Sequence, residues 1–166
     1  MRSAPAKITG VIAIIAGIIF IVAGGVTWGM ISSQLADQKI TVSEDSPMLP
    51  GDTVDGPFSA YAQAGIINTH ALKATEGKTY AELGAAVNAA KESGDTAAAE
   101  ELQTQRNTVM NASFLRASLF TSVVAYGVAA LVMGLGVVLI LVGWAFSSLS
   151  KAAPQVAGEA RERVLA

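Results

Sequence analysis

Residues 8–30 read ITGVIAIIAGIIFIVAGGVTWGM and residues 119–146 read LFTSVVAYGVAALVMGLGVVLILVGWAF, and neither stretch contains a charged side chain or a histidine. An α-helix rises about 1.5 Å per residue, so roughly 20 apolar residues cross a hydrocarbon core about 30 Å thick. Both stretches are longer than that. They predict an all-α membrane protein with two transmembrane helices, 8–30 and 119–146. A segment spanning 31–118 joins them, and short ends, 1–7 and 147–166, flank them. Composition agrees: 52% of the chain is hydrophobic, 14% is charged and the mean hydropathy is +0.48, high for a water-soluble domain.

The charges are segregated. The connecting segment carries six basic residues, Lys39, Lys73, Lys78, Lys91, Arg106 and Arg116, against eleven acidic ones. Arg2 and Lys7 precede the first span, and Lys151, Arg161 and Arg163 outnumber Glu159 and Glu162 after the second. Two spans put both ends on one side of a membrane, and Lys and Arg favour the cytoplasmic side. The expected topology is a hairpin in the plasma membrane, with both termini cytoplasmic and the acidic segment outside. Arg2 and Lys7 before an apolar run also fit the start of a secretory signal. That run is not followed by a small-x-small cleavage site and polar sequence, so an uncleaved anchor is expected. Trp28 and Trp144 fall at the outer and inner headgroup levels of such a hairpin, where indole rings are favoured.

Both spans are rich in small residues, which let helix backbones approach closely where lipid removes the hydrophobic drive for association. In the first, Gly10, Gly17 and Gly24 recur every seven residues, Ala13 lies a turn from Gly10, and Gly25 and Gly29 form a GxxxG step. In the second, Gly127 and Gly134, and Gly136 and Gly143, repeat at seven, and Ala130 with Gly134 forms an AxxxG step. A period of seven returns to nearly the same helix face. These residues are the expected helix-packing positions, with the docked helix being the other span, a second copy or another protein. Leucine in place of Gly17 or Gly134 is expected to push such a helix away.

Between the spans, the first helix is expected to continue through SSQLADQK, and Pro47, Pro50, Gly51, Gly56 and Pro57 make the next segment irregular, with 40–42 a short extended piece. Helical patterning returns from Ser59 to about Ala74. Thr79 and Glu82 form the capping-box pattern that opens a second helix ending before Gly94. Asp95 can cap a third helix that runs directly into the second span. The outer segment is thus a mostly helical cap, and the tail from Ser147 reads as short and mobile.

Reactive chemistry finds little to stand on. There is one histidine, His70, and no cysteine. A two-histidine, one-carboxylate iron site, a bis-histidine haem, a c-type haem and a thiolate metal site are therefore excluded within one chain. Glu44, Asp45, Asp52 and Asp55 cluster without the spacing of a calcium-binding loop. No phosphate-cradling glycine motif is present, and an acidic outer segment is the wrong sign for nucleic acid. No catalytic, metal or cofactor residue is expected. No Asp, Glu, Lys, Arg or His, the residues that mark proton and ion pathways when they lie within spans, occurs in either, which argues against a pump or channel.

The segments GVIAIIAGIIFIVAGGVTWGMISSQLADQKITVSED, DGPFSAYAQAGIINTHAL, KTYAEL and TVMNASFLRASLFTSVVAYGVAALVMGLGV resemble a family of small actinobacterial two-span membrane proteins commonly labelled aromatic ring-opening dioxygenases of the LigA type. The resemblance covers nearly the whole chain, with Gly84 to Gln105 as a variable insert. The label implies ring cleavage at an iron centre whose ligands this chain lacks, so the label does not fit. Proteins of this kind resemble accessory subunits of actinobacterial respiratory assemblies. The resemblance therefore implies a non-catalytic scaffold or accessory subunit whose partners are the lipid bilayer and larger integral membrane subunits, those of cytochrome bc and cytochrome c oxidase among them. The alternative is an envelope protein that binds a small ligand or signal through its outer cap, between the Tyr61 helix and the loop around Phe58. Reporter tags at either end and within 31–118 test the topology: the end tags should report cytoplasm and the internal tag the opposite side, and fewer than two crossings would refute the hairpin.

Overall fold

The structure, a computed structural model, describes residues 4–165 and the side chains of residues 5–149. The charged side chains of Arg2, Lys151, Glu159, Arg161, Glu162 and Arg163 lie outside the described residues, so the charge pattern of the two ends rests on sequence alone. Four helices follow one another: α1 (Ala4–Asp37), α2 (Pro57–Ala74), α3 (Tyr80–Glu92) and α4 (Thr96–Leu165). No strand occurs among the described residues; the nearest approach is an isolated antiparallel bridge between Thr41 and Thr53. The polar tail continues α4 to Leu165, so the helical turn that EARERVLA allows by sequence is part of a longer helix.

Two helices, α1 and α4, are long and apolar enough to cross a membrane, and only 17% of each apolar window is buried. A core helix of a soluble protein would be largely buried. Here Ile12, Ile19, Val22, Leu131 and Leu141 are each more than half exposed. An apolar surface of that extent requires lipid or protein cover.

The chain divides into two compact units, one made of the chain up to Gly29 and from Gly127 onward, the other of Met30–Tyr126. In the first, the parts of α1 and α4 it contains run antiparallel, and the buried positions are small ones: Gly10, Gly17, Gly24, Ala129, Gly136 and Gly143.

The second unit is built around Val42, Val54, Ala60, Ala62, Ala64 and Leu119, with Leu35, Ile40, Ile67, Phe120 and Val123 packed against them. Alanine on α2 lets its neighbours come close without leaving voids. The irregular segment after α1 earns its place through backbone pairing. Val42 N–H donates to Asp52 O (2.8 Å), Gly51 N–H to Val42 O (2.9 Å) and Val54 N–H to Ile40 O (2.9 Å). This pairing turns Val42 and Val54 inward, 1% and 0% exposed.

The helix ends follow from local chemistry. Pro57 opens α2, where its missing N–H is no loss, and the N–H groups of Asp55 and Gly56 donate to Ser59 Oγ, both at 3.2 Å. At α3, Glu82 N–H donates to Thr79 Oγ1 (3.4 Å) and Thr79 N–H donates to Glu82 Oε2 (2.8 Å), the reciprocal box expected from the sequence. Gly94 ends α3 with φ +78°, and Asp95 N–H reaches Ala90 O (3.0 Å) while Gly94 N–H reaches Lys91 O (3.1 Å). That pair of bonds needs a left-handed residue, which glycine supplies without strain. Asp95 Oδ1 then accepts from Ala98 N–H at 3.0 Å to start α4.

Two side chains of α4 tie this unit together. Tyr126, 1% exposed, donates its hydroxyl to Asp55 O (2.9 Å) and lies 2.8 Å from Ser32 Oγ. Arg116 Nε donates to Ala64 O at 3.2 Å. Tyr126→Phe keeps the ring but strands the Asp55 carbonyl, and should lower stability by about 1–2 kcal/mol in thermal unfolding followed by circular dichroism. Thr79→Ala, which loses the α3 cap, should cost about 1 kcal/mol in the same assay.

Candidate functional site

Glycines of α1 and α4 meet main chain to main chain. A Cβ on Gly17 would stand 2.5 Å from Gly136 O, and one on Gly136 would stand 2.6 Å from Gly17 O. Gly10 and Gly143 form the same reciprocal pair, at 2.7 and 2.5 Å, and a Cβ on Gly24 would meet Ala129 O at 2.9 Å. No side chain fits in such gaps. Each of these five glycines also receives the side chain one turn beyond its partner: Ser147 over Gly10, Ile140 over Gly17, Met133 over Gly24, Ile21 over Gly136 and Ile14 over Gly143. Three small-residue layers seven residues apart on each helix thus interlock, the repeat expected of helices that coil gently around each other. Carbonyl oxygens aimed at the partner's Cα fit the geometry of weak Cα–H···O bonds.

Of the packing positions expected from the sequence, Gly10, Gly17, Gly24, Gly136 and Gly143 are at this contact, with Ala13 half-buried at its edge. Gly25, Gly29, Gly127 and Gly134 are not; among the described residues, no atom beyond their own stretch of helix lies within 4 Å of a Cβ built on any of them, and Ala130 is exposed. The reason is rotation. Gly134 precedes Gly136 by two residues, about 200° around the helix, so the two heptad series of the second span face opposite ways. Ala129, 2% exposed, completes the contact and was missed by sequence reading. Its signal was available, since Ala129, Gly136 and Gly143 repeat at seven as Gly10, Gly17 and Gly24 do. Trp28 is half-buried on α1 and Trp144 is 67% exposed on α4.

Within the second unit, His70 Nε2 lies 2.7 Å from Asp45 Oδ2, and Ser43 Oγ donates to Asp45 Oδ1 at 2.8 Å. The His70 bond, then the Ser43 bond, hold the Asp45 carboxyl below its ordinary value of 3.8. Thr79 does the same for Glu82, first through its backbone N–H and then its hydroxyl. No group of three or more His, Cys, Asp or Glu side chains converges among the described residues. A cleft of about 220 Å³ separates α2 at Tyr61 and Ile66 from Ser46, Pro47 and Met48. The loop facing Tyr61 is therefore 46–48; Phe58, expected there, belongs to α2 itself and is 72% exposed. A larger groove, about 740 Å³, is walled by residues 31–35 of α1, Gln38 and Ile40 just after it, Gln63 and Ile67 of α2, and residues 115–125 of α4.

No family model matches the chain, and no curated protein or solved structure matches it either.

Gly17→Leu and Gly136→Leu should each destabilise the helix pair by about 1–3 kcal/mol or more, because the clash is with backbone rather than a yielding side chain. Gly134→Leu should stay within about 0.5 kcal/mol of the parent. Thermal unfolding in detergent checks the contrast. A depressed carboxyl contributes stability that is complete above its ordinary pKa and lost as pH falls through the lowered one. Unfolding between pH 5 and 2 should thus show an acid limb for the Asp45 contact, and Asp45→Asn should flatten it.

Proposed function

We propose that this chain is a non-catalytic integral membrane subunit that scaffolds a larger membrane complex. The observation that supports the reading most is the division of its small residues into two sets. One set is used by α1 and α4 on each other. The other set is open among the described residues: a Cβ on Gly25 or Gly29 of α1, or on Gly127 or Gly134 of α4, would meet no other helix, and Ala130 is exposed. Glycine inside a helix is about 1 kcal/mol less favourable than alanine in water, so four such glycines need a compensating contact. A helix of another subunit provides one, because small-residue faces admit close backbone approach in lipid.

The resemblance to small actinobacterial two-span proteins supports a respiratory assembly of cytochrome bc and cytochrome c oxidase subunits as the host. In that setting the chain fills a crevice between larger subunits, excludes lipid from it and presents its acidic segment to the outer side of the plasma membrane. Purification in mild detergent should recover larger subunits in stoichiometric amount with this chain. Gly134→Leu should lower that recovery while leaving the thermal stability of the isolated chain unchanged. Recovery as a lone monomer, or unchanged recovery with Gly134→Leu and Gly127→Leu combined, would sink the reading.

A further inference from the structure

The 740 Å³ groove of the Met30–Tyr126 unit has a composition that selects a ligand class. Its apolar wall is formed by Ile31, Leu35, Leu119 and Ala125, and its polar wall by Gln34, Gln38, Gln63 and Ser118. No charged side chain lines it. The volume lies within the range of sites that enclose an amphiphilic small molecule, and the pattern of an apolar body with a few hydrogen-bonding groups is theirs too.

Gln63 gives the groove a direction. Ser43 N–H donates to Gln63 Oε1 at 3.1 Å, which assigns the carboxamide oxygen to that side. The amide nitrogen is left to donate elsewhere and has no acceptor among the described residues. The exposed side-chain amides of Gln34 and Gln38 likewise have no partner among the described residues. The hydroxyls of Thr121 and Ser122 donate to their own helix, at Ala117 O and Ser118 O, and so offer only acceptors to a guest. The groove is thus supplied with amide donors and no charge, a setting for a neutral carbonyl acceptor. Its walls also adjoin the two uncharged stretches in sequence: Ile31 directly follows residues 8–30, and Leu119 to Ala125 open residues 119–146.

We propose that this groove binds one glycerolipid of the bilayer, an acyl chain lying along Ile31, Leu35 and Leu119 and an ester carbonyl accepting from Gln63 Nε2. The site ignores headgroup charge, because no charged residue faces the guest. This goes beyond the scaffold reading and needs no protein partner. It rests only on α1 and α4 being membrane spans, which the reporter tags test separately.

The test uses the full chain in detergent micelles, titrated with a phosphatidylcholine that carries a photoactivatable diazirine on one acyl chain, with labelled sites mapped by peptide mass spectrometry. Labelling of residues 31–40 and 115–125 should saturate, whereas labelling around the outward Leu131 should rise linearly with lipid. Ser118→Trp, at an exposed position whose ring would fill the groove, should abolish the saturable component. Gln63→Glu keeps an oxygen for Ser43 N–H but removes the donor, and should weaken the half-saturation point about tenfold, the order expected for one lost hydrogen bond to a guest. A phosphatidylglycerol probe of the same chain should saturate at a similar concentration. Linear labelling at both segments, or saturation unchanged in Ser118→Trp, would show only the lipid that coats any span and would overturn the proposal.

Discussion

The contact between Gly17 and Gly136, backbone against backbone, is the constraint from which the arrangement of α1 and α4 follows. Lipid tails are as apolar as leucine, so for a helix pair in a bilayer burying Ile or Val would gain nothing over leaving it in lipid. What remains is the number of atoms brought into van der Waals range, and that grows as the helices close. Only glycine allows the carbonyl of one helix to rest on the Cα of the other. Repetition at Gly10 with Gly143 and Gly24 with Ala129 then holds the register, because a slip of one heptad leaves a layer without its partner. The bulky residues one turn along fill the remaining space.

The Met30–Tyr126 unit solves a different problem. It contains a segment of about twenty residues with no regular structure, whose backbone groups still require partners. Some of those partners come from distant side chains. Gln63 answers Ser43, and the hydroxyl of Tyr126 answers Asp55, 71 positions away in sequence. A buried tyrosine at this point supplies both apolar bulk and a polar tip, which leucine cannot. His70 with Asp45 adds a tie at the exposed edge, sensitive to acid because the carboxyl does the accepting.

These two solutions leave separate surfaces uncommitted. Gly25 and Gly29 on α1, and Gly127 and Gly134 on α4, stay open, and the proposed scaffold role rests on them. The groove is apolar on one wall and presents uncharged glutamine amides on the other, the pairing on which the lipid proposal rests. No Asp, Glu, Lys, Arg or His lies within 8–30 or 119–146, and no charged side chain lines the groove.

Length, period and local capping chemistry made much of this legible in the sequence. The two uncharged stretches, the box at Thr79 and Glu82, the stop at Gly94 and the start at Asp95 are all set by residues within a few positions of one another. Glycine at intervals of seven announced close helix contact. It did not announce which face makes it, since Gly127 and Gly134 repeat as regularly as Gly136 and Gly143. Rotation of a helix about its axis is decided by the surface opposite, and that surface arrives from more than a hundred residues away. The partners of Gln63 and Tyr126, Ser43 N–H and Asp55 O, are likewise brought in by the fold, from 20 and 71 positions away. The chain's own order determined the helices and their apolar character; the three-dimensional fold decided which glycines touch, because two helices in contact can share only one face.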